Sequence, residues 1–232
     1  MGKKKRVVTR WRVLGALVLV AVGVAGYFWW QFIHWTPSRV QYPTQGVLVS
    51  ADDGRASFVA LKAIGADFAY LEASDGAARR DPWFGRNLDA VRAAGLPFGA
   101  VHHYDPCIPA DRQAANFVTV VPRDETLLPP AIELDALADE CPHPVSDQAV
   151  ESELMTFLNQ VEGHAGKPAI LKMSDGFEAR YHLASAIDRA LWLTRDRFEP
   201  DYGGRPWTLW TANSQLRSEA GSGSVRWVVA RP

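Results

Sequence analysis

Residues 65–106 read GADFAYLEASDGAARRDPWFGRNLDAVRAAGLPFGAVHHYDP, and the hydrophobic period changes twice within that stretch. Residues 67–73 (DFAYLEA) form a short, largely apolar run bounded by turn residues, the pattern of a buried strand. From Phe84 to Ala94, Leu88 and Val91 lie on one helical face, and Gly95 stops the run. Residues 97–104 (PFGAVHHY) then return to strand character. Strands alternating with amphipathic helices imply parallel strands joined by right-handed crossovers.

The same rhythm extends in both directions. Upstream, residues 46–50 read as a strand and residues 57–64 as a helix carrying Phe58, Leu61 and Ile64, ended by Gly65. Downstream come helix 109–121, strand 130–135, helix 146–162, strand 168–174 and helix 176–186. Strands 191–195, 207–212 and 225–230 follow without obvious helices. Five strand–helix units and three further strands fit a closed α/β barrel better than a dinucleotide-binding sheet, because no G-x-G-x-x-G loop follows the first strand.

The N-terminus sets the expected compartment. Residues 13–33 (VLGALVLVAVGVAGYFWWQFI) hold no charge, and as a helix they would span about 31 Å, close to a bilayer core. Lys3, Lys4, Lys5, Arg6, Arg10 and Arg12 precede them and mark the cytoplasmic side, while Tyr27, Trp29, Trp30 and Trp35 suit the far interface. A cleaved signal would have a shorter core ending at small residues, so an uncleaved anchor is the better reading. The expected organisation is a basic cytoplasmic tail (1–12), a transmembrane signal-anchor helix (13–33), a polar, proline-containing linker (34–45) and a barrel domain (46–232) in the periplasm or outside the cell.

Composition narrows the partners. The 232 residues are 47% hydrophobic and 22% charged, which excludes low-complexity and disulfide-scaffold classes. Taking the six N-terminal cations from the 25 Lys and Arg leaves 19 against 26 acidic residues, about −7 for the rest, so no nucleic-acid footprint is expected. Cys107 and Cys141 lack metal-ligand spacing. An exported setting would let them pair, and two separate thiols stay equally open.

In an α/β barrel the chemistry sits at the C-terminal ends of the strands, and there this chain is acidic. Asp52 and Asp53 follow the first strand, Glu72 and Asp75 the second, His102, His103, Tyr104 and Asp105 the third, and Glu133 and Asp135 the fourth. Glu133 and Asp135 lie two apart and so share a strand face. Two carboxylates in a partly desolvated cleft resist joint ionisation, which supplies a general acid and a charged partner, the requirement of glycosidic bond hydrolysis. Only one of the adjacent His102 and His103 can face inward, which weakens a metal reading; no metal or cofactor is expected. Trp83, Trp192, Trp207, Trp210 and Trp227 offer flat faces for sugars, with core packing as the plainer role.

The strand and loop order resembles glycoside hydrolase family 25, the Chalaropsis-type lysozymes (muramidases), over about residues 46–229. The strongest stretches are the one quoted above and RQAANF at 112–117. LPPAIELD at 128–135 resembles the family's proline-led strand, KPAIL at 167–171 its fifth strand and WTLWTAN at 207–213 its W-x-x-W-Q-Y segment. The resemblance implies a flattened TIM-like (β/α)5(β)3 barrel and hydrolysis of the β-1,4 bond between N-acetylmuramic acid and N-acetylglucosamine in peptidoglycan. The family opens with G-[VI]-D-V-S where this chain has GVLVS, placing Leu48 at the acidic position. The family's D-x-E is Glu133-Leu134-Asp135 here, its Q-Y is Thr211 and Ala212, and its late aspartate falls at Arg226. By that correspondence Asp135 is the acid and Glu133 the stabiliser of the N-acetyl group or developing cation, although side-chain length would allow exchange. Asp52, Asp53, Glu72, His102, Tyr104 and Trp210 are the expected substrate-binding residues, with Asp52 or Asp53 replacing the charge lost at Leu48. The alternative is a degenerate barrel that binds wall glycan or a protein partner without cutting it.

Overall fold

A computed structural model describes residues 2–232, with side chains from residue 11 onward. The side chains of the basic run at Lys3 to Arg10 lie outside the described residues. Two compact units emerge, Met1–Trp35 and Thr36–Pro232. The first is one helix, α1 (Gly2–Ile33), whose segment Trp11–Ile33 is long and apolar enough to cross a membrane.

The second unit is an eight-stranded closed barrel. Its strands are β1 (Gln45–Val49), β2 (Phe68–Asp75), β4 (Phe98–His103), β5 (Ala131–Leu134), β6 (Ile170–Met173), β7 (Ala190–Thr194), β8 (Leu209–Arg217) and β9 (Ser224–Ala230). Neighbours are parallel from β1 through β8, and β9 runs antiparallel between β8 and β1, which closes the ring. A two-residue strand, β3 (Arg79–Arg80), hangs on the end of β2 and was not visible in the sequence pattern.

The helices α2 (Phe58–Ala63), α3 (Phe84–Ala93), α4 (Ala110–Val120), α5 (Asp147–Ala165) and the pair α6 (Asp175–Tyr181) and α7 (Leu183–Ala186) follow the first five barrel strands. The last three strands carry none, as the periodicity implies. Local chemistry sets the helix ends: the Ser146 side chain caps α5 by accepting from the Ala149 N–H, and Gly166 at φ 68° terminates it. Along α5, Val150, Leu154, Phe157, Leu158 and Val161 form the buried stripe. Each large side chain of that kind contributes about 2 kcal/mol through burial.

One segment departs from expectation, and one open alternative is resolved. The linker is only partly a tether, because Tyr42 is buried against Trp207 and Trp210, and Arg39 pairs with Asp67. Apolar contact holds residues that their composition marked as loop. The two cysteines are joined as Cys107–Cys141, tying the loop after β4 to the loop after β5.

Inside the ring, Leu48, Tyr70, Val101, Ala131, Ile170, Trp192 and Val228 belong to one buried cluster. Side chains two apart share a strand face. The residues one step nearer the mouth are therefore Glu72 above Tyr70, His103 above Val101, Glu133 above Ala131, Lys172 above Ile170 and, on the antiparallel β9, Arg226 above Val228. An apolar floor thus carries a ring of charged groups.

Candidate active site

The ring is a connected set of ion pairs. Glu133 Oε1 meets the Lys172 ammonium, and Glu72 Oε1 meets Arg226 Nη1. Arg226 Nη2 also donates to Asp53 Oδ2 at 2.9 Å, and the same oxygen accepts from the Ser50 N–H at 2.7 Å. His103 Nε2 stands between the second oxygens of the two glutamates, 3.2 Å from Glu72 Oε2 and 3.4 Å from Glu133 Oε2. Lys172 lies 5.9 Å over the Trp192 ring, whose Nε1 donates to Thr211 Oγ1 at 2.8 Å.

These contacts shift the titrating groups in opposite senses. Burial alone would raise Glu72, but the His103 and Arg226 partners outweigh it and hold its pKa at about 2. Burial alone would lower His103, yet the Glu72 and Glu133 carboxylates leave its pKa raised. Glu72, His103 and Glu133 bring one donor atom each within 4.8 Å of one another, near enough for a metal ion by distance alone. Lys172 and Arg226 already sit on those two carboxylates and would repel a dication, so the grouping reads as ion pairs.

The ring is open to solvent on two sides. One cavity of about 270 Å³ is lined by Glu133, Asp135, Lys172, Thr194, Thr211 and Arg226. A second, also of about 270 Å³, is lined by Asp52, Glu72, Asp75, Arg80 and His103 among others. Asp52 also borders a third, polar hollow of about 400 Å³ against the β8–β9 loop at Ser218 and Ser222. The second and third hollows share Asp52, and the His103–Glu133 contact stands between the first and the second.

Of the expected site residues, Glu133 and Asp135 line one cavity, as two positions on one strand face should. Asp135 is exposed at the rim and, among the described residues, makes no hydrogen bond or ion pair. Glu72 and Asp53 belong to the ring, and Asp52 sits at the edge. Leu48 is fully buried in the floor and registers with Arg226, so Asp53 brings an acidic group to the cation from the adjoining loop.

Three expected substrate contacts are corrected. His102 is fully buried on the outer side of β4, with Nδ1 2.8 Å from Ser74 Oγ and its ring 4.8 Å from Phe157; burial lowers its pKa to about 4. Tyr104 is also buried against Phe157. Trp210 packs on Tyr42 and Trp207 and donates through Nε1 to the Arg195 carbonyl at 2.7 Å. The alternation of the pleat decides this: with Val101 facing in, His102 faces the helices and His103 faces the mouth. Lys172 was missed, although a lysine inside the apolar run AILKM was the available signal.

The sequence profile described as Glycosyl hydrolases family 25 matches residues 47–218. Among solved structures, a family 25 glycosyl hydrolase from Bacillus anthracis superimposes with a TM-score of 0.76 at 24% identity, covering 86% of this chain and 93% of that one. A bacterial lysozyme from Streptomyces coelicolor gives 0.70 at 20% identity, over 82% and 92% of the two chains. A lysozyme of the same family from Aspergillus fumigatus gives 0.67 at 18% identity, over 82% and 94%. The uncharacterized protein YegX of Escherichia coli (strain K12) is 26% identical over 162 residues, which cover 68% of this chain and 57% of that relative. The chain thus spans little more than half the length of the curated relative it matches.

Proposed function

The chain belongs to glycosyl hydrolases family 25, and from that premise we propose that it is a membrane-anchored muramidase cleaving the β-1,4 bond between N-acetylmuramic acid and N-acetylglucosamine in peptidoglycan. The observation that carries this reading is the pair Glu133 and Asp135, projecting from the end of β5 into one open cavity at the mouth of the barrel. Asp135 is free of cationic partners and is the proton donor to the leaving glycosidic oxygen. Glu133, its charge met by Lys172, is the anionic partner that faces the developing cation or the substrate N-acetyl group. Glu72, Asp53 and Arg226 complete the charged ring beside Glu133, and Asp52 lies along the substrate path.

The single-pass arrangement has the N-terminus in the cytoplasm, residues 13–33 in the cytoplasmic membrane and the barrel in the periplasm or outside the cell. The apolar helix and the Cys107–Cys141 bridge support it, since disulfides persist in oxidising compartments. Tethered in this way, the enzyme acts on wall near its own membrane. The test is release of reducing ends from peptidoglycan. Asp135→Asn and Glu133→Gln should each lower turnover about 100-fold to 10,000-fold; unchanged turnover in both would sink the assignment.

One observation favours a second reading. Lys172 and Arg226 offset much of the acidic charge of the mouth, which suits a barrel that holds wall glycan or a protein partner without cutting it. Binding to wall that survives both substitutions, with no released reducing ends in the wild type, would select that reading.

A further inference from the structure

The charges of the ion-pair ring are one short of balance. Asp53, Glu72 and Glu133 contribute three negative charges, and Lys172 and Arg226 contribute two positive ones. Each glutamate gives one oxygen to its cation and turns the other toward the same point, where His103 Nε2 lies 3.2 Å and 3.4 Å away. Neither His103 Nε2 nor Glu133 Oε2 has an aligned hydrogen-bond partner, and both atoms are shut off from solvent. A neutral imidazole with a lone pair at Nε2 would face two carboxylates across that gap, whereas a proton there answers both.

We infer that His103 works as an imidazolium, a positioning residue whose Nε2 proton bridges Glu72 and Glu133, balances the ion-pair ring and holds Glu133 in place beside Asp135. The activity half of this inference rests on the muramidase reading; the charge state of His103 does not. The other charged groups around the imidazole point the same way on balance. From β2, Glu72 and Asp75 are acidic. Asp52 and Asp81 line the same cavity, opposed there by Arg79 and Arg80. From β5 comes Glu133 and from β6 Lys172, which opposes the proton but is itself seated on Glu133. On its own strand, His102 faces the helices and its lowered pKa keeps it neutral at pH 7.

The deciding experiment is a nitrogen-15 NMR titration of the histidines in the full chain in detergent micelles, with His103→Gln identifying the signal. In the wild type the His103 ring should stay protonated above the ordinary midpoint of about 6.5. Glu72→Gln and Glu133→Gln should each weaken its proton binding about tenfold or more, moving the midpoint down by about one pH unit. A wild-type midpoint at or below 6.5, or one that ignores both substitutions, overturns the inference, and the wild-type titration alone suffices if a variant does not fold. Wall cleavage should fall on the alkaline side with the same midpoint, and His103→Gln should remove that limb while changing kcat more than KM. Cleavage with an alkaline limb that does not follow the His103 titration also overturns it. An absence of cleavage at every pH would instead refute the muramidase reading, with the titration still deciding the charge on His103.

Discussion

Removing the Arg226 charge perturbs the mouth most directly. Arg226→Met keeps the unbranched stem as far as the Nε position and leaves Glu72 and Asp53 facing no guanidinium. The two acids and the arginine are 17%, 14% and 20% exposed at their side chains, so water screens them only partly. The depression of Glu72 from 4.5 to about 2 corresponds to about 3 to 4 kcal/mol at about 1.4 kcal/mol per unit, shared between His103 and Arg226. A half-share, plus the loss to Asp53, makes the expected destabilisation about 2 to 3 kcal/mol, at or just under the range for breaking a buried pair. Urea unfolding of residues 36–232 at pH 7, followed by tryptophan fluorescence, measures it. Adding Glu72→Gln should recover about 1 kcal/mol, since no uncompensated glutamate then remains. The pH dependence has a defined sign: because the folded pKa of Glu72 is depressed, its stabilisation is complete above about 4.5 and is lost as pH falls toward 2. Arg226→Met should flatten that acid slope. A loss under about 0.5 kcal/mol with an unaltered slope, or strictly additive variants, would refute the network reasoning.

Two further outcomes follow from the wall of the barrel. Reducing Cys107–Cys141, which closes a loop of sequence separation 34, should destabilise residues 36–232 by about 3 to 4 kcal/mol, read as a lower urea midpoint with reductant or in the double Cys→Ser variant. His102, neutral in the fold with a pKa of about 4, should make stability fall by about 3 kcal/mol as pH drops from 6.5 to 4, because the unfolded chain takes up the proton first; His102→Gln should flatten that window if it folds, and an unchanged slope would contradict the buried assignment.

The barrel was legible because helix period and strand length survive in single stretches of sequence. The period predicts helices over 84–94 and 146–162, and the helices run Phe84–Ala93 and Asp147–Ala165, with Gly95 and Gly166 at the stops and Ser146 capping the second. The ionic ring was not legible, because strands covered on both faces lose the polar–apolar alternation that reveals which side faces in. His102 and His103 differ only in parity, and that parity is set by the ring's register rather than by anything in FGAVHH. Trp210 fails for the same reason, its face fixed by the docked Tyr42, which composition had assigned to a linker. The Arg226 link to Glu72 crosses 154 residues and comes from the closure of β9 onto β1, a long-range event no local window contains. That Glu133 and Asp135 share a strand face and line one cavity was legible because two-residue spacing is local and their strand is announced by its prolines.

The most direct test of the central claim is the chemical identity of what the protein releases from wall. Peptidoglycan incubated with residues 36–232 across pH 4 to 8, beside the Asp135→Asn protein, should yield by mass spectrometry muropeptides ending in reducing N-acetylmuramic acid, absent from the variant. Intact wall after incubation with folded wild-type protein that still sediments with it would contradict hydrolysis and leave a binding barrel.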